Sequence, residues 1–176
     1  MDNMINYLPP ADLAKAPKAT DPKTGETVEV GQDGKFAAQV VKTIYDQFGR
    51  YSILKVYRGS LDVSTPLYNP NAEKSEKSTA PVLLRGKKSI GVDRLNAGDI
   101  GALPKLQATA TGDTLCDASE PVRFASIDFP LPSISLAVTA KKQGEEDKVI
   151  SGLNRICEED PTIRIEKNQE TGDVLI

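Results

Sequence analysis

Between Phe36 and Phe124 the apolar residues come in short runs, each closed by Gly, Pro, Asn or Asp, and this punctuation restricts what the chain can become. Residues 36–45 are apolar and partly β-branched, Asp46-Gln47-Phe48-Gly49-Arg50 turns the chain, and residues 51–57 run back. Residues 66–69, 80–85, 99–103 and 114–116 follow as further strands. Short strands separated by turn residues predict an all-β barrel or sandwich. Closing the sheet removes edges that would otherwise pair with other chains, so a barrel is the expected form. With no Trp and aromatics at only 5%, its core must come from Val, Ile, Leu and Ala.

The pattern changes after Pro130 and Pro132. Residues 133–139 alternate with period two and read as a strand. Glu145 to Glu159 reads as a helix, with Val149, Ile150, Leu153, Ile156 and Cys157 on one stripe and acids crowding the first turn. Pro161 stops it, and residues 162–167 and 173–176 are strands joined through Asn168-Gln169-Glu170-Thr171-Gly172. The order β-α-β-β is the first part of a ferredoxin-like α+β unit. Upstream, Met1, Met4, Ile5 and Leu8 share one face of a short helical segment that Pro9-Pro10 ends. The stretch to Gly34, with Asp21-Pro22-Lys23-Thr24-Gly25 as a turn, reads as a linker or a loose hairpin. The expected division is therefore 1–35 linker, 36–125 β-barrel and 126–176 incomplete ferredoxin-like unit, mainly β overall.

Composition excludes several chemistries. Without histidine there is no His triad, His base or His metal site. Cys116 and Cys157 allow at most one disulfide and cannot complete a Cys-only zinc site; reduced thiols in a cytosolic protein are expected. The first residues lack a basic n-region and no run reaches the ~18 apolar residues of a spanning helix, so a soluble, cytoplasmic protein without a membrane partner is expected. A net charge of −3 argues against wrapping DNA or RNA through bulk charge.

Motifs for catalysis fail individually. Gly86-Lys87-Lys88-Ser89 imitates a phosphate loop, but Pro81 stands where the upstream glycine belongs and the Lys-Ser pair is displaced by one. Asp46-Gln47-Phe48-Gly49 fits a hairpin turn better than a nucleotide switch. Glu145-Glu146-Asp147 and Glu158-Glu159-Asp160 read as solvated or helix-end acids rather than an acid–base pair. No catalytic, cofactor-binding or metal-binding residue is expected. Arg85-Gly86-Lys87-Lys88 is different, placing three cations in four positions, with Lys74, Lys77 and Arg94 nearby in sequence. Either an edge strand is blunted by lysines, or Arg85, Lys87 and Lys88 meet phosphates of structured RNA. Both readings remain open on the residues alone.

Taken in order, segments along nearly the whole chain resemble the elongation factor G group of translational GTPases. Tyr7-Leu8-Pro9 and Asp21-Pro22-Lys23-Thr24-Gly25-Glu26 look like the exit from that family's GTPase domain, and Phe36-Ala37-Ala38 like the opening strand of its second domain. Val56-Tyr57-Arg58-Gly59-Ser60-Leu61 is similar to a family turn. Ala97-Gly98-Asp99-Ile100-Gly101-Ala102 and Thr111-Gly112-Asp113-Thr114-Leu115-Cys116-Asp117 are the most specific matches. Phe129-Pro130-Leu131-Pro132-Ser133-Ile134-Ser135-Leu136-Ala137, Glu158-Glu159-Asp160-Pro161-Thr162 and Glu170-Thr171-Gly172 continue into the third domain.

Pro81-Val82-Leu83-Leu84-Arg85-Gly86-Lys87-Lys88 departs from the family's usual stretch, and Arg58 stands where Ser is common; both changes resemble the elongation factor G-like paralogues. The resemblance implies a fragment holding a linker, the second domain and half of the third. It implies docking on the small ribosomal subunit, through RNA and a ribosomal protein, during protein synthesis. GTP, Mg and GTPase activity would belong to the parent protein, and an open edge of the third-domain sheet could pair with another copy. The competing reading is a free-standing β-barrel that binds a ligand or a protein.

Overall fold

The computed structural model describes residues 2–10, 13, 15–46, 49–86, 88–142, 144–168 and 173–176. Helix α1 spans Asp2–Tyr7. The first strands are β1 (Lys18–Thr20), β2 (Thr27–Glu29), β3 (Ala37–Asp46), β4 (Gly49–Arg58), β5 (Ser60–Leu61), β6 (Leu67–Asn69) and β7 (Lys74–Glu76). They continue as β8 (Val82–Arg85), β9 (Lys88–Gly91), β10 (Leu95–Asn96), β11 (Ile100–Pro104), β12 (Thr114–Cys116) and β13 (Arg123–Phe124). The last elements are β14 (Ala137–Val138), α2 (Glu146–Glu159), β15 (Glu166–Lys167) and β16 (Val174–Leu175).

Eight strands form one antiparallel sheet in the order β7-β6-β12-β3-β4-β11-β8-β9. Its axis is the long β3–β4 hairpin; the turn residues Gln47 and Phe48 lie outside the described residues. The register slips twice, so that Tyr57 on β4 and Val41 on β3 are left without an opposite residue. Each such bulge bends its strand and increases the local twist, and together they curl the sheet around one core. Phe36, Ala38, Val40, Leu54, Val56, Leu61, Leu67, Leu95, Leu103, Leu106 and Leu115 fill it, with Leu83 of β8 packed against them. Strands near both ends of the ladder thus share one interior. Closure is by packing, since β7 and β9 form no ladder with each other.

Consecutive residues are buried where strict alternation would expose every second one: Ala37 and Ala38, and Leu115 and Cys116, are all 0% exposed. The cause is a second layer. β1 and β2, the segment with linker composition, form the hairpin alternative, and β1 pairs with β13. This three-stranded flap covers the outer face with Ala19, Val30, Val122 and Phe124, and the Tyr57 ring packs 4.8 Å from that of Phe124. Two buried amide side chains are bonded: Asn69 Oδ1 accepts from the N–H groups of Asn71 and Ala72 at 2.9 and 3.0 Å, and its Nδ2 donates to Asp113 at 2.9 Å. Gln39 Nε2 donates to the Ala125 carbonyl at 2.8 Å.

The C-terminal unit has the order β14-β16-β15, with α2 between its first two strands. The first strand therefore lies beside the third, as a ferredoxin-like unit requires. Its strands are shorter than their sequence pattern predicts. Residues 133–135 lack ladder partners, because the pairing reaches its last bonds between Leu136 and Ile176, both at 2.9 Å. Residues 161–162 turn instead of extending and 163–165 enter no strand, with Asp160 Oδ1 accepting from the N–H and hydroxyl of Thr162. The expected helix is found within one residue, but only Leu153 of its stripe is buried; Ile150 and Ile156 are exposed.

Two outcomes follow from this packing. Gly59 has φ +67, and a Cβ there would lie 2.6 Å from the Gly34 carbonyl oxygen. Gly59→Ala is expected to destabilise the barrel by about 1–3 kcal/mol in denaturant titration. Gly25→Ala is milder, because nothing lies within 4 Å of its Cβ. In hydrogen exchange, amides of 36–124 are expected to be better protected than those of 133–176, where Leu153 is the one buried hydrophobic among the described residues. Equal protection in a monomer would contradict that contrast.

Candidate nucleic-acid interface

The cationic segment of the sequence is the tip of the β8–β9 hairpin. β8 joins the rest of the sheet through Val82, opposite Ala102 of β11, while all four of its residues pair with β9. Leu83 anchors the hairpin on the core, and beyond it the side chains are increasingly exposed. Gly86 closes the turn with φ +59, the left-handed conformation of tight hairpin loops. Arg85 and Lys88 are then directly opposite each other in the register. Both are exposed, and neither makes an ion pair or a side-chain hydrogen bond among the described residues. Lys87 lies outside the described residues.

Like charges placed opposite in a ladder repel. Lys88 sits on β9, an end strand whose residues are all exposed, where a lysine blunts the edge. Arg85 is on β8, whose pairing with β11 is at Val82, so at Arg85 the strand has a ladder neighbour on the β9 side alone and edge protection fits this residue too. An anion between the two side chains would relieve their repulsion.

Two of the other cations near in sequence have different settings. Lys74 is on β7 at the opposite end of the strand order, and Arg94 pairs with Asp62 at 3.5 Å. Three more arginines hold the barrel together through backbone carbonyls. Arg50 donates to Leu106 and Thr109 at 3.1 and 2.5 Å, Arg58 to Lys35 at 2.7 Å, and Arg123 to Pro70.

The acidic and thiol groups also have structural settings. Glu145 pairs with Lys148 at 3.3 Å. Asp160 is held below the usual carboxylate range by the hydroxyl and N–H of Thr162, with Lys42 of β3 adding to the effect. Burial pushes both the Cys116 and Cys157 thiols up, which favours their unreactive protonated form. Among the described residues no group of three or more His, Cys, Asp or Glu gathers to hold a metal, and no helix is long and apolar enough to cross a membrane. Sequence reasoning missed one polar cluster, formed by Tyr45 and Arg50 with Glu158 and Glu159, two halves over 100 residues apart.

Similarity to known proteins follows this architecture. Residues 35–118 match the model for elongation factor G domain 2, and residues 129–176 match that for elongation factor G, domain III. Over its full length the chain is 36% identical to Elongation factor G of Dehalococcoides mccartyi (strain CBDB1), of which it covers 26%. It is 37% identical to Elongation factor G 1 of Syntrophomonas wolfei subsp. wolfei, of which it covers 27%. A solved Thermus thermophilus protein matches 81% of this chain, with a TM-score of 0.70 at 28% identity, over 22% of its own length. The chain thus spans about a quarter of the length of its curated relatives. With two domain matches in sequence order and relatives aligned from end to end, the chain belongs to the elongation factor G family.

Proposed function

We propose that this chain is a ribosome-binding part of a translation elongation factor and docks on the small subunit with the β8–β9 hairpin against ribosomal RNA phosphates. The observation that carries this reading is the pair Arg85 and Lys88, opposed across a ladder and without an acidic partner among the described residues. Phosphate oxygens supply the missing negative charge, and such contacts position a protein without reading bases. Lys87, between them in sequence, is a third cation of the same segment. The protein works in the cytoplasm, where its target is. GTP binding with Mg, and its hydrolysis, belong to the whole elongation factor. The 176 residues contain no phosphate loop, so this chain supplies binding to the ribosome and no catalytic group.

The rival reading, a free-standing module for a small ligand, has one feature to support it. A cleft of about 230 Å³ is lined by Lys15, Lys55 and Tyr57 among others. It lies on residues 15–17, 30–32 and 55–57, away from the hairpin tip in sequence.

Binding to isolated small subunits is expected to weaken as salt rises. Replacing Arg85, Lys87 and Lys88 together with Ala should reduce the log–log salt slope by about two to three, at ~0.7–0.9 per phosphate contact. Because Arg85 and Lys88 are exposed and unbonded, the thermal midpoint should barely move. An unchanged slope would leave these residues as protection for an edge strand. Calorimetry at micromolar protein is expected to show no heat of GTP binding to this chain.

A further inference from the structure

The contact between the barrel and the C-terminal unit is made where α2 packs on β3. The two acids ending α2, Glu158 and Glu159, face the negative end of the helix dipole, and its last turn carries no basic residue. Within the helix their position is unfavourable, but across the joint it is matched. The Tyr45 N–H donates to Glu159 Oε1 at 2.5 Å, and the Tyr45 hydroxyl donates to Glu158 Oε2. Arg50 Nε lies 3.5 Å from that same oxygen, as an ion pair. The Arg155 guanidinium sits 5.9 Å from the centre of the Tyr45 ring.

Arg50 presents its Nε in a fixed direction, because its other nitrogens are bonded to the carbonyls of Leu106 and Thr109. The barrel therefore offers a preorganised cation, and the helix offers carboxylates that its own dipole disfavours. Alternative restraints on the unit are weak. Residues 127–136 enter no strand and are largely exposed, and Ile150 and Ile156 of α2 remain exposed as well.

We infer that Tyr45, Arg50, Glu158 and Glu159 form a polar latch, and that this latch, rather than the connecting segment or an apolar seam, fixes the orientation of the C-terminal unit on the barrel. Opening it frees the unit to swing about residues 127–136 without unfolding either part. Alanine at 158 and 159 removes the latch while favouring the helix itself, through higher helix propensity and loss of the unfavourable end charges.

Residual dipolar couplings measured on the full chain test this directly. In the wild type, one alignment tensor should fit both the barrel strands and α2. In Glu158→Ala/Glu159→Ala the couplings of α2 should shrink and require their own tensor, while its amide shifts stay helical. Glu145→Gln, at the far end of the same helix, should keep the single tensor. A single tensor in the double variant overturns the latch, as do separate tensors in the wild type or loss of shared alignment in Glu145→Gln. If α2 loses its helical shifts in the double variant, Tyr45→Phe/Arg50→Gln, which removes both side-chain contacts to Glu158 from the barrel side, decides: reduced α2 couplings support the latch and unchanged ones overturn it.

Discussion

The two register slips in the β3–β4 hairpin are what the barrel depends on. Without a bulge at Tyr57 and at Val41, two ten-residue strands would form a long, gently twisted ribbon with its apolar face open to water. The bulges bend the ribbon, so Val40 and Leu54 on the hairpin reach the same interior as Leu67 and Leu115. The extra residues are supported from the side. Val40 exchanges backbone bonds with Gly112 and Asp113, at 2.7 and 2.8 Å, and Val56 does so with Gly98 and Asp99, at 2.8 and 3.0 Å. The Gly-Asp pairs of the two most family-specific segments are therefore the backbone partners of the residues flanking the bulges.

Charge in this molecule separates by role. Arg50, Arg58 and Arg123 are bound to backbone carbonyls, where the planar guanidinium bridges chain segments distant in sequence. Arg85 and Lys88 are held out on a hairpin whose ladder to the barrel, among the described residues, is at Val82. A net charge of −3 therefore coexists with a local cationic tip. It is the placement of individual cations, not their sum, on which the proposal of a phosphate contact rests. The acids of α2 follow the same logic. Glu158 and Glu159 look like ordinary helix-end carboxylates until the helix is set against Tyr45 and Arg50, which changes them from unfavourable surface charges into a contact between two folded units.

Much of the architecture was legible in local sequence because local rules dominate there. Gly and Pro punctuation marked the strands of the barrel, and a 3.6-residue stripe located α2 to within one residue. The order of the family-like segments matched the domain models found independently. The errors have physical causes. Strand length was overestimated at 133–139 and 162–167, because alternation shows that a residue could pair, whereas pairing needs a partner in register. Residues 18–30 read as a linker or a loose hairpin; the hairpin forms, and Ala19 and Val30 are buried, since a few small apolar residues suffice when another sheet face lies opposite.

The candidate site divides the same way. The sequence by itself determined that no histidine, phosphate loop or Cys-only zinc site is available, and that three cations stand together at 85–88, because these follow from residue identity and adjacency alone. Tertiary structure alone decided that Arg85 faces Lys88 across a ladder, that Arg94 is paired with Asp62, and that Arg50 meets Glu158. A charge acquires its partner only when distant segments are brought within hydrogen-bonding or ion-pairing distance, and folding is what sets that distance.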